Sequence, residues 1–288
     1  MKRILYFLLI ILLIVAAILL VKNNYHKPVI KVGQLNQLGR PGKLTYALKD
    51  ILEERYRVVI TDMDYDIVVD DVFGSKDIKN IDRPDVIKIF YTAEAYLPNL
   101  DDYDLVLGFD RVDDPRYIRY PNYYNGYNGK SIEGTKARDS MFHRLSEYKW
   151  VASGGVHLNN IGGPVPRKSK KTQEWLSQCK FIISYENQYH NGYLTEKVFQ
   201  AYFGGAIPIY WGDKTAISDI NKDAVIYADD FEAENDVVEY VKKVDNDDEL
   251  YCKIWNQHLM TNPEMNYEIV KDKLREKLFK LIDTKLQK

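Results

Sequence analysis

The chain has 288 residues, a formal net charge of −2 and two cysteines. That length can bury a sizeable core and allows two domains. The near-zero charge gives no global field for nucleic acid, and two cysteines make no disulfide framework.

Met1–Asn24 differs from the rest. Lys2 and Arg3 precede an unbroken apolar run, Ile4–Val21. At ~1.5 Å rise per residue this run just spans a hydrocarbon core of roughly 30 Å. Lys22-Asn23-Asn24 follows it instead of a small-residue cleavage site, which favours an uncleaved single-pass anchor over a signal peptide. Lysines on both flanks leave its orientation open.

From Pro28 the pattern alternates. Val29–Val32, Arg57–Thr61, Tyr65–Asp70, Val86–Tyr91 and Leu105–Phe109 read as strands, with a helix over Thr45–Arg55. Strands separated by helix-sized gaps predict a doubly wound α/β sheet. Asp62-Met63-Asp64 ends one strand. Such an acidic pair can hold a cation on a nucleotide diphosphate, but acidic pairs recur along this chain and a solvated strand end is the plainer reading. Thr92-Ala93-Glu94 closes another strand, where a carboxylate can face a cleft or simply pair in a loop.

Asn122–Thr135, rich in Tyr, Asn and Gly, reads as an interdomain linker. Arg138–Tyr148 has helical spacing, and Val151 with Gly154-Gly155 suggests a strand and turn. Pro164–Lys171 is a basic, solvated loop and Thr172–Gln178 a short helix. Cys179 reads as a small buried hydrophobe, and no ligand spacing for zinc occurs.

The most informative stretch is Phe181–Asp213, FIISYENQYHNGYLTEKVFQAYFGGAIPIYWGD. Phe181–Ser184 predicts a strand, Tyr185–Gly192 a loop, Thr195 a helix N-cap, and Ala206–Trp211 a second strand. In such βαβ units ligands bind beyond the carboxyl ends of the strands, beside helix N-termini whose unpaired N–H groups suit a diphosphate. Lys197 can neutralise phosphate, Glu196 can accept from sugar hydroxyls and Tyr193 can stack or donate. A capped amphipathic helix with solvated charges explains the same letters. Beyond it, Ile217–Ile220 and Ala224–Tyr227 continue the α/β rhythm, and Phe231–Val244 is helical. Asn266–Lys288 is an amphipathic helix whose narrow apolar stripe suits docking on the body better than lying on a membrane.

Glu186-Asn187, Gly192-Tyr193, Thr195-Glu196-Lys197 and Ile207–Gly212 together resemble the signature of glycosyltransferase family 10, the α1,3/4-fucosyltransferases. Upstream, Thr92–Glu94, Pro98, Leu107–Asp110, Arg116–Arg119 and the run Arg138–Gly163 are similar to further family phrases. The resemblance covers roughly Ile89 to Tyr251. It implies a GT-B architecture, two Rossmann-like domains facing a cleft: a membrane anchor over 1–27, an acceptor domain over 28–122, a GDP-fucose domain over 123–262 and the terminal helix over 263–288. It implies inverting transfer of L-fucose from GDP-fucose, typically to O3 of N-acetylglucosamine in an N-acetyllactosamine-type acceptor. Glu94 matches the family's proposed general base. Arg138, Asn187, Tyr193, Glu196 and Lys197 match donor-binding positions. No metal is obligatory on this reading, a divalent cation being at most a stimulant.

Two departures stand out. Ala95 replaces a common Asn, and the apolar strand that usually opens the donor domain before Arg138 is missing. A degenerate glycan- or nucleotide-sugar-binding homologue, or a metal-dependent transferase using Asp62 and Asp64, are therefore the rivals. The anchor implies a Golgi-type or bacterial inner membrane.

Overall fold

The computed structural model describes residues 27–35, 43–72, 76–92, 94–120, 132–166, 170–260 and 266–287. The expected anchor, 4–21, lies outside them. Among the described residues no helix is long and apolar enough to cross a membrane.

In chain order the elements are β1 (Val29–Leu35), α1 (Lys43–Leu52), β2 (Arg57–Ile60), β3 (Ile67–Asp70), β4 (Ile87–Tyr91), β5 (Leu105–Gly108) and β6 (Tyr117–Arg119). Then come α2 (Ile132–Tyr148), α3 (Lys170–Leu176), β7 (Phe181–Tyr185), α4 (Glu196–Phe203), β8 (Ile207–Trp211) and β9 (Ile226–Tyr227). The chain closes with α5 (Glu234–Asp245), α6 (Asp248–Trp255) and α7 (Tyr267–Lys285). The strands named between Val29 and Phe109, and the helix over Thr45–Arg55, all form close to their expected bounds.

Contacts divide the chain into two compact units. The first comprises the residues up to Tyr91 with Pro98–Leu107 and Asp272–Lys288; the second comprises Thr92–Leu97 with Gly108–Lys271. The sequence places one domain boundary at 122/123 and sets the terminal helix apart, so the compact units follow a different partition.

In the first unit five strands lie in the order β2-β1-β3-β4-β5, with parallel pairings from β2 through β5. The inner strands are largely apolar because helices cover both faces of such sheets. Ile67, Val68, Ile87, Ile89, Leu105 and Val106 are all buried. The terminal helix docks here. Its Leu274, Leu278, Phe279 and Ile282 are buried, Arg275 Nε reaches Glu54 at 2.8 Å, and Lys285 Nζ reaches Asp104 at 2.8 Å. That stripe is buried on the body, as the docking reading expects.

The second unit holds a parallel sheet of order β7-β8-β9. Phe181 pairs with Ile207 and Tyr185 with Trp211. Alternation along β8 sends Ile207 and Ile209 to one core with Met141 and Leu145 of α2 and Val237 and Val241 of α5. Tyr210 points to the other core with Leu194, Val198 and Phe199. The sheet is thus covered on both faces.

Three expectations fail in this unit. The helix bearing Arg138 starts at Ile132, inside the expected linker, whose residues 122–131 lie outside the described set. Around Val151 no strand forms. Side chains hold that segment instead: Asn159 Nδ2 donates to Ser153 O and Gly155 O, and Asn160 Nδ2 to Val151 O. Backbone groups satisfied by asparagine side chains do not need a sheet. Cys179 is half-buried, not buried, with its thiol pKa raised by desolvation.

Candidate active site

The carboxyl end of β7 and the N-terminus of α4 carry the site. Glu186 follows β7 directly, and its N–H donates to Trp211 O at 2.9 Å, extending the β7–β8 pairing by one bond. The side chain is completely buried. Its Oε1 accepts from Thr195 N at 2.8 Å and its Oε2 from Thr195 Oγ1 at 2.6 Å. Lys197 Nζ donates to Glu186 Oε2 at 3.1 Å and to Thr195 Oγ1 at 2.9 Å. A carboxylate this deep is tolerable only when paired and fully hydrogen-bonded.

Thr195 is the N-cap residue, with extended backbone at φ −115°. Its hydroxyl does not cap the helix as the sequence predicts. It turns to Glu186, so Glu186 from the preceding strand does the stapling that a local cap usually does.

A second cation lies beside this one. Arg138, from α2, donates through Nη1 to Tyr185 O at 2.9 Å and to Asn187 Oδ1 at 3.1 Å. Burial lowers its guanidinium pKa, opposed by the charge of Glu186. Asn187 is buried and its side chain also hydrogen-bonds the Tyr193 hydroxyl. Tyr193 is fully buried, with its ring 4.8 Å from that of Phe109. Desolvation drives its phenol well above the usual range, and Glu186, Glu94 and Glu196 push the same way. Tyr193 is therefore a neutral hydroxyl at any working pH. Glu196 is buried in the first turn of α4.

Glu94 is half-buried in a tight turn closed by its own neighbour: Glu94 N donates to Thr92 Oγ1 at 2.9 Å, and Thr92 Oγ1 to Glu94 O at 3.1 Å. It belongs to the same compact unit as the residues above, and its charge is felt at Tyr193. All six expected site residues therefore lie in one unit. Arg138, Asn187 and Tyr193 form one hydrogen-bonded chain, and Lys197 forms another through Glu186.

Asp62 and Asp64 do not join them. They sit in the first unit, where Asp64 has φ +52° and its exposed carboxylate lies 2.5 Å from Lys31 Nζ and 3.7 Å from Arg83. Lys31, and to a lesser extent Arg83, lower the Asp64 carboxyl from its ordinary value. Among the described residues no group of three acidic, histidine or cysteine side chains is arranged to hold a metal.

Sequence reasoning missed several groups. Glu186 stood in the motif only as a fixed letter. Asp110, Arg119, Asp213 and Asp219 are buried or half-buried polar residues around the turn before Tyr193. For Asp110 and Asp213 the signal was position, since each follows a strand-like apolar run; Arg119 and Asp219 carried no such local signal.

Two family models match. One, described as Glycosyltransferase family 10 (fucosyltransferase) C-term, covers residues 129–281. The other, Alpha-(1,3)-fucosyltransferase FucT N-terminal domain, covers residues 42–126. Alpha-(1,3)-fucosyltransferase FucT of Helicobacter pylori is 27% identical over 251 residues, 67% of this chain and 52% of that protein. The 4-galactosyl-N-acetylglucosaminide 3-alpha-L-fucosyltransferase 9 of Mus musculus is 34% identical over 83 residues, 28% of this chain and 23% of its own length. The chain thus spans between about a quarter and a half of these relatives. A crystal structure of an alpha1,3-fucosyltransferase superposes with a TM-score of 0.72 at 23% identity, covering 90% of this chain and 91% of that one. The same enzyme type crystallised with GDP-fucose gives 0.70 at 22% identity, covering 89% and 90%. The fold is shared.

Proposed function

The chain belongs to glycosyltransferase family 10, and from that premise we propose that it transfers L-fucose from GDP-fucose to a sugar hydroxyl. The observation that carries the reading is a pair of cations on neighbouring residues. Arg138 is bound to Asn187 and Lys197 to Glu186, the two residues that follow β7, and Lys197 lies in the first turn of α4. A diphosphate needs such a site: two positive side chains beside a helix N-terminus, with its partial positive charge and unpaired N–H groups. Lysine has three N–H donors, and Glu186 and Thr195 take two. The third serves a phosphate oxygen.

The chemistry follows. The acceptor oxygen attacks fucose C1 as the bond from C1 to the β-phosphate oxygen breaks. Glu94 takes the proton of the attacking hydroxyl, and GDP leaves with the bonding electrons. One displacement inverts the anomeric carbon, and its transition state is oxocarbenium-like. Charge grows on the departing phosphate, so Arg138, Lys197 and the helix N-terminus lower the barrier by waiting there in advance. Glu196, Tyr193 and Asn187 hold the nucleotide sugar. The acceptor is an N-acetyllactosamine-type glycan, attacked through O3 of N-acetylglucosamine. The chain's fold class is that of a GT-B enzyme, and residues 4–21 anchor it in a membrane by a single pass. Cations placed to neutralise a diphosphate leave no obligatory role for a metal. The Asp62/Asp64 alternative would first have to draw Asp64 away from Lys31 and Arg83.

The test is direct. The full chain is incubated with GDP-fucose and N-acetyllactosamine, with and without EDTA, and released GDP and fucosylated product are measured. Product that persists in EDTA supports the reading. Product lost to EDTA supports the metal-dependent alternative, and GDP binding without product supports a binding homologue.

A further inference from the structure

The turn that delivers Tyr193 is held from both sides by residues outside it. His190 O accepts from Tyr193 N at 2.9 Å, closing a four-residue turn whose third residue is Gly192. Gly192 has φ +69°, the conformation that such a turn asks of glycine. A Cβ there would stand 2.4 Å from Phe109 O.

Both peptide groups of Gly192 are taken by side chains. Its N–H lies 2.9 Å from both Asp213 Oδ1 and Thr215 Oγ1. Its carbonyl accepts from Arg119 Nη2 at 2.9 Å. Arg119 is itself fixed: Nε donates to Phe109 O at 2.8 Å, and Nη2 lies 2.5 Å from Asp219 Oδ2. Asp219 is fully buried and takes a second arginine, Arg111, on Oδ1 at 2.5 Å. At the head of the turn His190 Nε2 lies 2.9 Å from Asp110 Oδ1. Thr215 Oγ1 donates to Asp213 Oδ1 and lies 2.8 Å from Asn191 Oδ1.

The turn needs this much only if its exact shape matters. A surface loop is usually left to water, and most loops tolerate motion. This one leads within three residues to Tyr193 and the first turn of α4. We propose that Arg119, Asp219, Asp213 and Thr215 form a clamp on Gly192. The clamp pre-sets Tyr193 and the α4 N-terminus for the nucleotide sugar. These are positioning residues: they act through Gly192 and Tyr193. The inference rests on the donor site proposed above. A preformed site avoids the ordering cost that a mobile turn would levy on each binding event.

The test uses the full chain and two substitutions, Arg119→Lys and Thr215→Val. Lysine keeps a positive charge opposite Asp219, but one ammonium cannot reproduce the planar fork that reaches Phe109 O, Gly192 O and Asp219 together. Three readouts are taken: GDP affinity by calorimetry, KM for donor and acceptor with kcat, and amide hydrogen exchange by mass spectrometry. Arg119→Lys is expected to weaken GDP about tenfold, the equivalent of one charge-assisted hydrogen bond. Donor KM should rise in step, while acceptor KM and kcat at saturating donor stay within about twofold. Exchange should accelerate in peptides covering 186–197 and nowhere else in the second unit. Thr215→Val, a milder change, should move the same readouts in the same direction. Unchanged GDP affinity in a folded Arg119→Lys protein, or faster exchange spread over the whole unit, overturns the proposal. A wild-type protein that fails to bind GDP sinks the functional reading instead. The local exchange at 186–197 then decides alone whether the clamp holds the turn.

Discussion

Glu186 and Lys197, eleven residues apart in sequence, form an ion pair at 3.1 Å in which the carboxylate is completely buried and the ammonium is 19% exposed. The pair ties the end of β7 to the first turn of α4, so one bond shapes the fold and also aims a cation at the ligand side of the sheet. Glutamine at 186 would place an amide against the Lys197 ammonium and the Thr195 hydroxyl, donors facing donors. Breaking a buried pair from one side costs about 3–5 kcal/mol. Glu186→Gln should therefore unfold at markedly lower urea concentration than wild type, with an unchanged denaturant slope. A midpoint equal to that of wild type would refute the stapling role.

Lys197→Ala should act on binding as well. A charged hydrogen bond to phosphate is worth about 1.5–3 kcal/mol, so GDP affinity should fall roughly 10- to 100-fold. Calorimetry with GDP checks this. GMP offers a single phosphate, and its affinity should fall less.

Gly192 is the residue in the turn with no tolerable replacement. Alanine would meet both the unfavourable φ of +69° and the Phe109 carbonyl 2.4 Å away. Strain of this kind costs about 1–3 kcal/mol before any clash is added. Gly192→Ala should lower the thermal midpoint by several degrees and weaken GDP binding together, since the same turn carries Tyr193.

Asp213 gives a pH dependence with a definite sign. Burial alone would raise its carboxyl, but bonds from Thr215, Gly192 and Ala216 outweigh that and hold it below the ordinary value of 3.8. A carboxylate depressed in the folded state stabilises the fold above the unfolded value, and the contribution is lost as pH falls through the folded one. Asp213→Asn should thus be less stable than wild type by a gap that is constant from pH 7 to about 5 and shrinks only below that. Thermal midpoints across this range measure it. A gap that closes between pH 7 and 5 would contradict the assignment.

The sequence made the strands of the first unit readable because a parallel sheet covered on both faces needs largely apolar strands, and Ile67–Val69 and Ile87–Phe90, the latter interrupted by Lys88, are such segments. The βαβ unit from Phe181 to Trp211 was legible for the same reason, sharpened by Gly204-Gly205 at the helix end. The start of α2 at Ile132 was hidden, since Ser131–Thr135 is rich in residues that also suit loops. The segment after Trp150 read as strand because Val151 and two glycines mimic a strand and turn. Its actual order comes from Asn159 and Asn160, whose partners cannot be guessed from spacing. The six residues expected at the site were named from the sequence as types and positions. Glu186 as the counter-ion of Lys197, and Arg119 and Asp213 on Gly192, depend on tertiary approach between segments 11 to 73 residues apart. No local pattern encodes such a meeting.

The most direct single measurement follows fucose transfer from GDP-fucose by wild type and Glu94→Gln, with GDP affinity determined on the same two proteins. The account predicts product with wild type, loss of turnover by at least about a hundredfold on removing the general base, and GDP affinity within twofold of wild type. Equal turnover in the two proteins would remove Glu94 from the mechanism. A wild-type protein that neither binds GDP nor yields product would contradict the account as a whole.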